Sequence, residues 1–483
     1  MKKNLFVTGF ALCIFCNTWA GGLLTNTNQS THFLRNPARG ASIEIDAAYT
    51  NPAGLAFLQG EGFFFSINNQ SAFQKRTITT TYAPFAGYGG SATKVYEGTA
   101  SAPVIPSIQA AYKSGNWTLS GEFAVTGGGG KATFNKGLPS FESSISLLPS
   151  GITQLGGSIG GLMPGATLTA DQYSVNAYME GSSIIYGAQL GGTYAISQHF
   201  AAYAGFRMNF VNNSYVGHLL DIKTNPTSNK PDLLGTGAMI SASAYFSALA
   251  QMQGLPDDFK NQLLARAAST ADKQLDCSQT GWGVTPIIGI DFNYNKLNIG
   301  LKYELNTHLN VENKTKIDGT GLFSDGVNTP SDIPALLTIG AQYAVIEPVT
   351  ISVGYHHFFD ANAKMANDKQ KNINGGINEY LAGVEWRINK LFLISTGGQI
   401  TRTGVTDAYQ SDLSYSLHSS SICIGGAVDI TKNVRINIGY LYSFYQDWTR
   451  NNPNYAGTTP ALPATEVFGR TNKTFGAGVD FWF

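Results

Sequence analysis

The segment Lys473–Phe483, KTFGAGVDFWF, alternates apolar side chains with glycine and polar ones and finishes on an aromatic residue. The apolar set is Phe475, Ala477, Val479, Phe481 and Phe483, and the positions between them hold Gly476, Gly478, Asp480 and Trp482. A period of two places alternate side chains on opposite faces of a β-strand. We therefore predict a strand here with one strongly apolar face, which meets either a protein core or lipid.

The same alternation recurs through the chain after residue 60. In Leu297–Leu305, for example, apolar residues share one face, while asparagine, glycine, lysine and glutamate share the other. We identify fourteen candidate strands, at residues 61–76, 102–113, 117–127, 174–195, 198–216, 277–294, 297–315, 332–346, 349–360, 376–388, 391–402, 412–430, 433–447 and 470–483. Many exceed the roughly five to six residues typical of soluble proteins and reach the roughly 9–11 residues that a tilted membrane-spanning strand requires.

The connections between these strands alternate in length. Six of them are short turns, at Lys113–Asn116, Ser197–His199, Asn293–Lys296, Ile346–Pro348, Ile388–Lys390 and Thr431–Asn433. Outer-membrane barrels combine short periplasmic turns with long outer loops, whereas a soluble β-sandwich has no reason to sort its loops in this way. The sequence therefore predicts an all-β fold, a transmembrane antiparallel β-barrel of about 14 strands over residues 61–483.

The pattern also predicts which side chains face lipid and which face the lumen. Six apolar residues are expected to face lipid: Ile288, Ile299, Leu301, Val384, Ile436 and Val479. Six charged residues are expected to face the lumen: Asp291, Lys302, Glu385, Arg387, Arg435 and Asp480.

Composition suits a lipid-facing protein. The chain of 483 residues has a formal net charge of 0, 13% charged residues, 12% aromatic residues and 55 glycines. Zero net charge gives no reason to expect nucleic acid as a partner. The seven histidines show no metal-binding spacing beyond the adjacent pair His356–His357, so we expect no enzyme activity, no metal and no cofactor. The alternative is an outer-membrane hydrolase that assembles a serine and a histidine across strands. We expect Cys277 and Cys423 to be free thiols, with a disulfide between them as the alternative.

Residues 1–20 have the pattern of a secretory signal peptide. Lys2 and Lys3 form a positive region, an apolar run follows, and small residues precede a cleavage site after Ala20. The alternatives are a transmembrane anchor and a lipoprotein cleaved before Cys16. The signal peptide and the strand pattern together predict export to the outer membrane of a Gram-negative bacterium.

Residues 21–60 contain no good spanning strand and many turn-forming residues. A fourteen-stranded barrel encloses a lumen wide enough to be filled or to conduct water, so we predict that this segment is a plug inside the lumen. It contains the sequence Asn51, Pro52, Ala53, and a second copy at Asn36–Ala38. Pro52 fixes φ, which favours a stiff elbow on which the plug moves; the alternative is a fixed turn that leads into the first strand.

Long insertions at residues 128–173 and 217–276 are expected in the outer loops, and the second is expected to be partly helical. Its apolar residues recur at helical spacing. We predict that Tyr245, Phe246, Leu249, Met252, Phe259 and Leu263 contribute apolar surface to a first ligand site at the outer mouth. The alternative is that these helices only pack on each other as a lid.

The TNPAGLA sequence before the first strand, the signal peptide, the strand count and Phe483 together resemble the FadL/TodX family of outer-membrane transporters of hydrophobic compounds. The resemblance implies passive uptake of long-chain fatty acids or similar lipophiles by a monomer among outer-membrane lipids, with Asn51, Pro52 and Ala53 in the plug. It also implies a kink in the third strand that opens the wall sideways. Gly121 and Gly127 are the kink candidates, although Gly128–Gly130 could begin a flexible loop. A general diffusion porin and a structural or adhesion barrel are the alternatives.

A fatty acid needs a cation where its carboxylate stops. Arg207 is the first candidate, because the alternation turns it inward and no acid lies near it on its own strand. Lys302 is the second, with Glu304 two residues away on the same face. The alternative is that Arg207 lines the lumen and is bonded to the plug.

Overall fold

The computed structural model describes residues 23–483, so the predicted signal peptide lies outside the described residues. In this range fourteen strands form one antiparallel sheet in which each strand pairs with its neighbours along the chain. They are β1 Gly62–Tyr82, β2 Thr93–Ser114, β3 Trp117–Phe134, β4 Tyr173–Ala195, β5 Phe200–Thr224, β6 Lys273–Tyr294, β7 Leu297–Glu304, β8 Leu336–Ile346, β9 Val349–Phe358, β10 Ile377–Arg387, β11 Phe392–Arg402, β12 Ser419–Thr431, β13 Val434–Tyr445 and β14 Ala464–Trp482. β1 pairs with β14, from Phe64 opposite Trp482 to Tyr82 opposite Ala464, which closes the barrel. The predicted fourteen-stranded barrel is confirmed.

The wall is much taller on one side. β1 to β6 and β14 contain 18 to 25 residues each, whereas β7 to β13 contain 8 to 13. Two further strands, Asn310–Asp318 and Trp448–Asn452, pair with β6 and β14 and extend the tall side. The predicted ranges of several tall strands were too short, because their outer faces become polar beyond the apolar band, as at the exposed ion pair between Lys75 and Glu97.

The predicted facing of the strands is confirmed. Ile288 is 54% exposed and Ile299 40%, because both point away from the lumen. Lys302 is 1% exposed and Asp480 3%, because both point inward. A charged ring inside and an apolar band outside is the arrangement that lipid requires of a barrel wall.

Helices occur before the first strand and in the long loops. They are α1 Thr31–Arg35, α2 Ala47–Thr50, α3 Pro139–Ile145, α4 Leu148–Leu162, α5 Ala242–Leu249 and α6 Asp257–Ser269, with 3₁₀ helices at Pro52–Phe57, Ala83–Gly87, Pro231–Leu233, Asp360–Asn362 and Ala366–Asn372. Short strands at Leu168–Thr169, Thr227–Ser228, Ile240–Ser241 and Asn328–Pro330 complete the loops. None of the helices between residues 23 and 483 has both the length and the apolar composition needed to cross a membrane.

Both long loops are helical, and we call α3 to α6 with their connections the cap. The prediction of helices in the second loop is confirmed, but α3 and α4 were not predicted. The many glycines of α4 obscure the helical spacing of its apolar residues. Ile152, Leu155 and Ile159 form one apolar face of this helix and are buried in the cap. Pro149 in the first turn helps this helix to begin, because its missing N–H would have no helical partner there.

Candidate functional site

Residues 23–58 precede β1, and we call this segment the plug. Most of its side chains are buried. Inward-facing side chains of the wall donate hydrogen bonds to its backbone carbonyls: Gln189 Nε2 to Ala48 (2.8 Å), Asn298 Nδ2 to Ala41 (3.0 Å) and Lys302 Nζ to Tyr49 (2.7 Å). Because these donors point inward from β4 and β7, the segment they hold lies inside the barrel.

Inward-facing glycines on neighbouring strands form a belt on the inner wall. The main chain of the plug packs against this belt. Glycines lie directly opposite each other on neighbouring strands in the pairs Gly300–Gly340, Gly340–Gly354, Gly383–Gly397, Gly425–Gly439 and Gly439–Gly476. A Cβ atom at Gly340 would come within 2.5 Å of the Ala41 nitrogen, and one at Gly439 within 2.7 Å of Leu34 Cβ. At these glycines the wall carries no side chain, so the main chain of residues 34–41 comes close to it, and only glycine allows so close an approach.

Each of the two N-P-A sequences follows a short helix and begins with an asparagine in an extended conformation. Asn36 ends α1 and Asn51 ends α2, with backbone angles of φ −151°, ψ 107° and φ −159°, ψ 96°. The proline that follows cannot continue the helix, so the chain turns sharply. Asn51 Nδ2 donates to the carbonyl of Ile290 at 3.1 Å, and Thr193 Oγ1 donates to the carbonyl of Pro52 at 2.7 Å. Both ends of the Asn51–Ala53 turn are thus fastened to the wall, as expected of a fixed turn, and movement about it stays a prediction.

A buried charged cluster fastens the plug to the shorter side of the wall. Arg39 donates to both carboxylate oxygens of Asp46, at 2.7 and 2.8 Å, and Arg35 donates to Glu385 of β10. Burial alone would raise the pKa of Asp46, but the charge of Arg39 lowers it below its ordinary value. These ion pairs compensate the buried charges of the plug, which would otherwise be costly.

One part of this cluster has the composition of a metal site. His32, Glu44 and Asp46 bring possible ligand atoms within 4.8 Å of one another. Arg39, however, pairs with both Glu44 and Asp46. Its positive charge would repel a metal cation at this position. We therefore assign no metal to these residues.

Arg207 is buried in the lumen, but its charge is already paired. Its Nη1 and Nη2 atoms lie 2.6 and 3.0 Å from the two carboxylate oxygens of Glu304. Lys302 Nζ donates to the same carboxylate at 2.6 Å, and the ring of Tyr49 lies 4.9 Å from Arg207 and 4.5 Å from Lys302. No acid lies near Arg207 on its own strand, as expected, but β6 brings β5 and β7 together and places Glu304 of β7 beside it. A role for Arg207 or Lys302 as a carboxylate anchor stays a prediction.

The hydrogen-bonded pairing between β2 and β3 is interrupted midway. Ser101 pairs with Lys131 and Ser107 with Ala124, but residues 102–106 do not pair with residues 125–130. Pro103 and Pro106 lie in this part of β2 and have no N–H to donate. These prolines are the sequence signal that could have located the interruption.

The plug occupies the backbone groups of β3 that β2 leaves free. Asn26 N donates to Thr126 O at 2.8 Å, and Asn26 Nδ2 donates to Gly128 O at 2.8 Å. Gln29 Nε2 adds a bond to Val125 O at 3.1 Å. We call the unpaired stretch between β2 and β3 the lateral seam. Residues 26–29 of the plug cover it from the lumen side.

The kink candidates differ in their structure. Gly121 pairs regularly with Ala110 and Leu190, so its prediction as a kink residue is wrong. Gly127 lies at a bulge opposite β4, beside a second bulge between Gly128 and Gly130. Gly128 has a positive φ of 64°, which side-chain-bearing residues rarely adopt. The alternative of a flexible loop from Gly128 is also wrong, because β3 continues to Phe134.

The six predicted ligand residues of the second loop pack inside the cap. Tyr245, Phe246, Leu249 and Leu263 are at most 2% exposed, while Met252 and Phe259 are partly buried against the same apolar cluster. This position is the one expected of the alternative, in which the helices pack on each other as a lid. Contact of these residues with a ligand stays a prediction. A Gly-x-Ser-x-Gly pattern at Gly156–Gly160 lies within α4 and not at the strand-to-helix turn that a nucleophile requires.

An apolar cavity that is partly open to solvent lies beside the cap at the outer ends of β4, β5 and β6. Phe141 of α3 contributes to its lining together with Met179, Leu219 and Leu275 of the wall. Lys273 and His218 also reach it. An apolar lining with few polar groups is typical of sites that bind hydrophobic ligands.

Comparisons with known proteins agree on the architecture. No family model matches the sequence, and no curated protein matches it. A FadL homologue from Pseudomonas aeruginosa matches in structure over 95% of this chain and 99% of its own, with a TM-score of 0.60 and 11% identity. The toluene transporter TodX of Pseudomonas putida matches over 96% of this chain and 100% of its own, with a TM-score of 0.53 and 13% identity.

The fold therefore defines a fourteen-stranded antiparallel barrel of the outer-membrane type. It is the fold of the FadL homologue and of TodX, and the resemblance seen in the sequence is confirmed at this level.

Proposed function

We propose that the protein is an outer-membrane channel through which hydrophobic molecules enter a Gram-negative cell passively. The observation that carries this proposal is the plug, which is mostly buried and accepts hydrogen bonds from inward-facing side chains of the wall. A general diffusion porin needs an open aqueous lumen, and a structural barrel needs no apolar cavity. The similar structures, those of a FadL homologue and of a toluene transporter, point in the same direction.

The seam between β2 and β3 supports a sideways exit. Ala72 and Ala102 are buried beside it, with Ile105 packed on them, so its lining is apolar. A hydrophobic molecule that leaves through this seam passes directly into lipid and never crosses water. Residues 26–29 of the plug must first release the carbonyl groups of β3 that they now occupy.

We infer from the contacts of the glycine belt which part of the plug moves. Residues 31–41 lie against the belt, and Asn51–Ala53 is bonded to the wall. The short stretch at 26–29 is bonded to β3 mainly through side-chain amides, which can exchange partners. We therefore place the moving part at residues 26–29 and not in the plug as a unit.

The substrate class that we propose comprises long-chain fatty acids and similar lipophiles, captured first in the apolar cavity beside the cap. The protein acts as a monomer surrounded by outer-membrane lipid, without enzyme activity and without a cofactor.

Mass spectrometry of organic extracts from the purified protein tests the proposal. We expect a fatty acid or another lipophile at a near-stoichiometric amount. An unrelated barrel without a plug, purified from the same cells in the same detergent, is the control. Equal lipid content in both extracts would contradict the proposal.

A further inference from the structure

The helix α3 of the cap is attached to the tall side of the wall through a buried carboxylate. Glu142 accepts hydrogen bonds from the hydroxyls of Tyr96 on β2, at 2.5 Å, and Tyr173 on β4, at 2.6 Å. Lys94 Nζ also donates to Glu142, and the ring of Tyr88 lies 4.6 Å from this ammonium group. Because one of its three donors is charged, the Glu142 carboxylate is firmly held, and α3 belongs to the tall side.

A hydrogen bond joins α3 to the opposite side of the barrel. Ser140 N, in the first turn of α3, donates to Asp412 Oδ2 at 2.7 Å. Asp412 lies between β11 and β12, in residues 403–418, which we call the facing loop. β4 and β11 are seven strands apart in a barrel of fourteen, so α3 and the facing loop meet across the outer mouth.

Apolar side chains surround this meeting point from both elements. Phe141 and Ile145 of α3 and Leu417 of the facing loop are buried in one apolar cluster, and Leu413 packs against the same cluster. A hydrophobic molecule that passes between α3 and the facing loop therefore meets apolar surface and not water.

The carboxylate at this meeting point is poorly compensated. Asp412 is 6% exposed, and no cation among residues 23–483 forms an ion pair with it. Arg450, whose charge acts on Asp412, is itself paired with Glu466. Burial raises the pKa of Asp412, although bonds from Ser140 partly oppose this change. Because burial of a carboxylate without a counter-ion is costly, closure at this point is only weakly favoured.

We propose that α3 and the facing loop are the two halves of a gate over the outer mouth, which opens where Ser140 meets Asp412. During opening α3 stays on the tall side through Glu142, and the Asp412 carboxylate returns to water. Apolar contact favours the closed gate and the buried charge opposes it, so the gate opens thermally and closes again. The inference rests on the proposed function and adds to it the place at which hydrophobic molecules enter the lumen.

A reversible link across the gate tests the inference in the full-length protein. The Ser140 backbone and the Asp412 side chain are in contact, which brings the thiols of S140C/D412C into range of a disulfide. The native Cys277 and Cys423 are buried and do not compete. We expect the disulfide to slow uptake of radiolabelled dodecanoate into proteoliposomes by at least about tenfold, and reduction to restore it, because a linked gate cannot open.

A second disulfide serves as the control for the link. Lys75 and Thr99 lie directly opposite each other on the outer faces of β1 and β2. K75C/T99C should take up dodecanoate equally well in its oxidised and reduced forms, because this link lies outside the lumen.

D412N tests the buried charge without a link. Asparagine still accepts the N–H of Ser140 but carries no charge, so the gate should close more firmly and uptake should slow by about threefold. The matched control is D257N, which neutralises an acid on α6 whose side chain is 96% exposed and should leave uptake unchanged.

Equal uptake by oxidised and reduced S140C/D412C, with the disulfide verified by mass spectrometry, would overturn the inference, and so would unchanged or faster uptake by D412N. Heat-modifiable migration in gels reports whether each variant forms the barrel. If the disulfide does not form, the comparison of D412N with D257N decides. Failure of the wild-type protein to take up dodecanoate would contradict the proposed function together with the gate, whereas uptake that ignores the link contradicts only the gate.

Discussion

Arg207 and Glu304 form a doubly bonded ion pair across the inner wall, with nitrogen–oxygen distances of 2.6 and 3.0 Å. β6 runs between the strands that carry them, and Tyr49 of the plug lies over the arginine at 4.9 Å. The pair therefore joins the wall to the plug. Its geometry supports the alternative in which Arg207 helps to hold the plug in the lumen.

We predict that R207A loosens the plug, because Glu304 then keeps only Lys302 and Tyr49 loses one of the two cations over its ring. Removal of one partner of a buried ion pair costs roughly 3–5 kcal/mol. Ion conductance in planar bilayers should rise, the midpoint of thermal unfolding should fall, and uptake of a fatty acid and of a hydrocarbon should change together. E304Q should behave similarly. Selective loss of fatty acid uptake in R207A would instead make Arg207 the carboxylate anchor.

The glycine belt provides a matched pair of variants. In G340A the new methyl group would lie 2.5 Å from the Ala41 nitrogen, whereas in G354A its nearest neighbour, Leu381 Cδ1, lies 3.5 Å away. We predict that G340A displaces the plug and raises bilayer conductance, while G354A behaves like the wild type. Equal conductance in the two variants would show that the plug does not depend on this contact.

The bulge in β3 can be tested at its strained glycine. Gly128 has a φ of 64° and Gly121 lies in a regular ladder, so alanine at Gly128 destabilises the bulge, by roughly 1 kcal/mol or more. We predict that G128A slows hydrocarbon release into the membrane of proteoliposomes and that G121A does not. Similar rates in both variants would argue against exit at this seam.

Two variants of the cap helices distinguish a role in packing from a role in ligand capture. Phe246 is fully buried and Leu264 of α6 is 45% exposed. F246S should destabilise the cap by roughly 3–5 kcal/mol and make its loop sensitive to protease, while L264S should change stability by about 0.5 kcal/mol or less. Reduced uptake at low ligand concentration in F246S with an intact, protease-resistant cap would assign Phe246 to the ligand site.

Asp360 makes the stability of one outer loop depend on pH. Burial raises the pKa of this carboxyl to about 7, although N–H bonds from Ile377 and Leu23 partly oppose the change. A carboxyl with a raised folded-state pKa stabilises the fold below the unfolded value, near 3.9, and this contribution is lost as pH rises through about 7. D360N should therefore unfold at a higher temperature than the wild type at pH 8 and at a similar temperature at pH 4. A constant difference across this range would show that Asp360 does not titrate as described.

The sequence predicted the barrel well, because a period of two is a local property of each strand. Ile288 and Lys302 could be assigned to opposite faces from their neighbours alone. The acid partner of Arg207 could not, because Glu304 lies 97 positions away and reaches it only through the register of three strands. The contact between Ser140 and Asp412 likewise exists only once two loops fold over the outer mouth. The helices α3 and α4 were missed because glycines and serines interrupt their apolar stripe.

Flux through reconstituted protein tests the central claim most directly. Proteoliposomes that contain the wild-type protein are given radiolabelled dodecanoate and radiolabelled arabinose. A plugged barrel with an apolar path should take up dodecanoate well above empty liposomes and admit arabinose no faster than they do. Rapid entry of arabinose without faster uptake of dodecanoate would show an open aqueous pore and contradict the account.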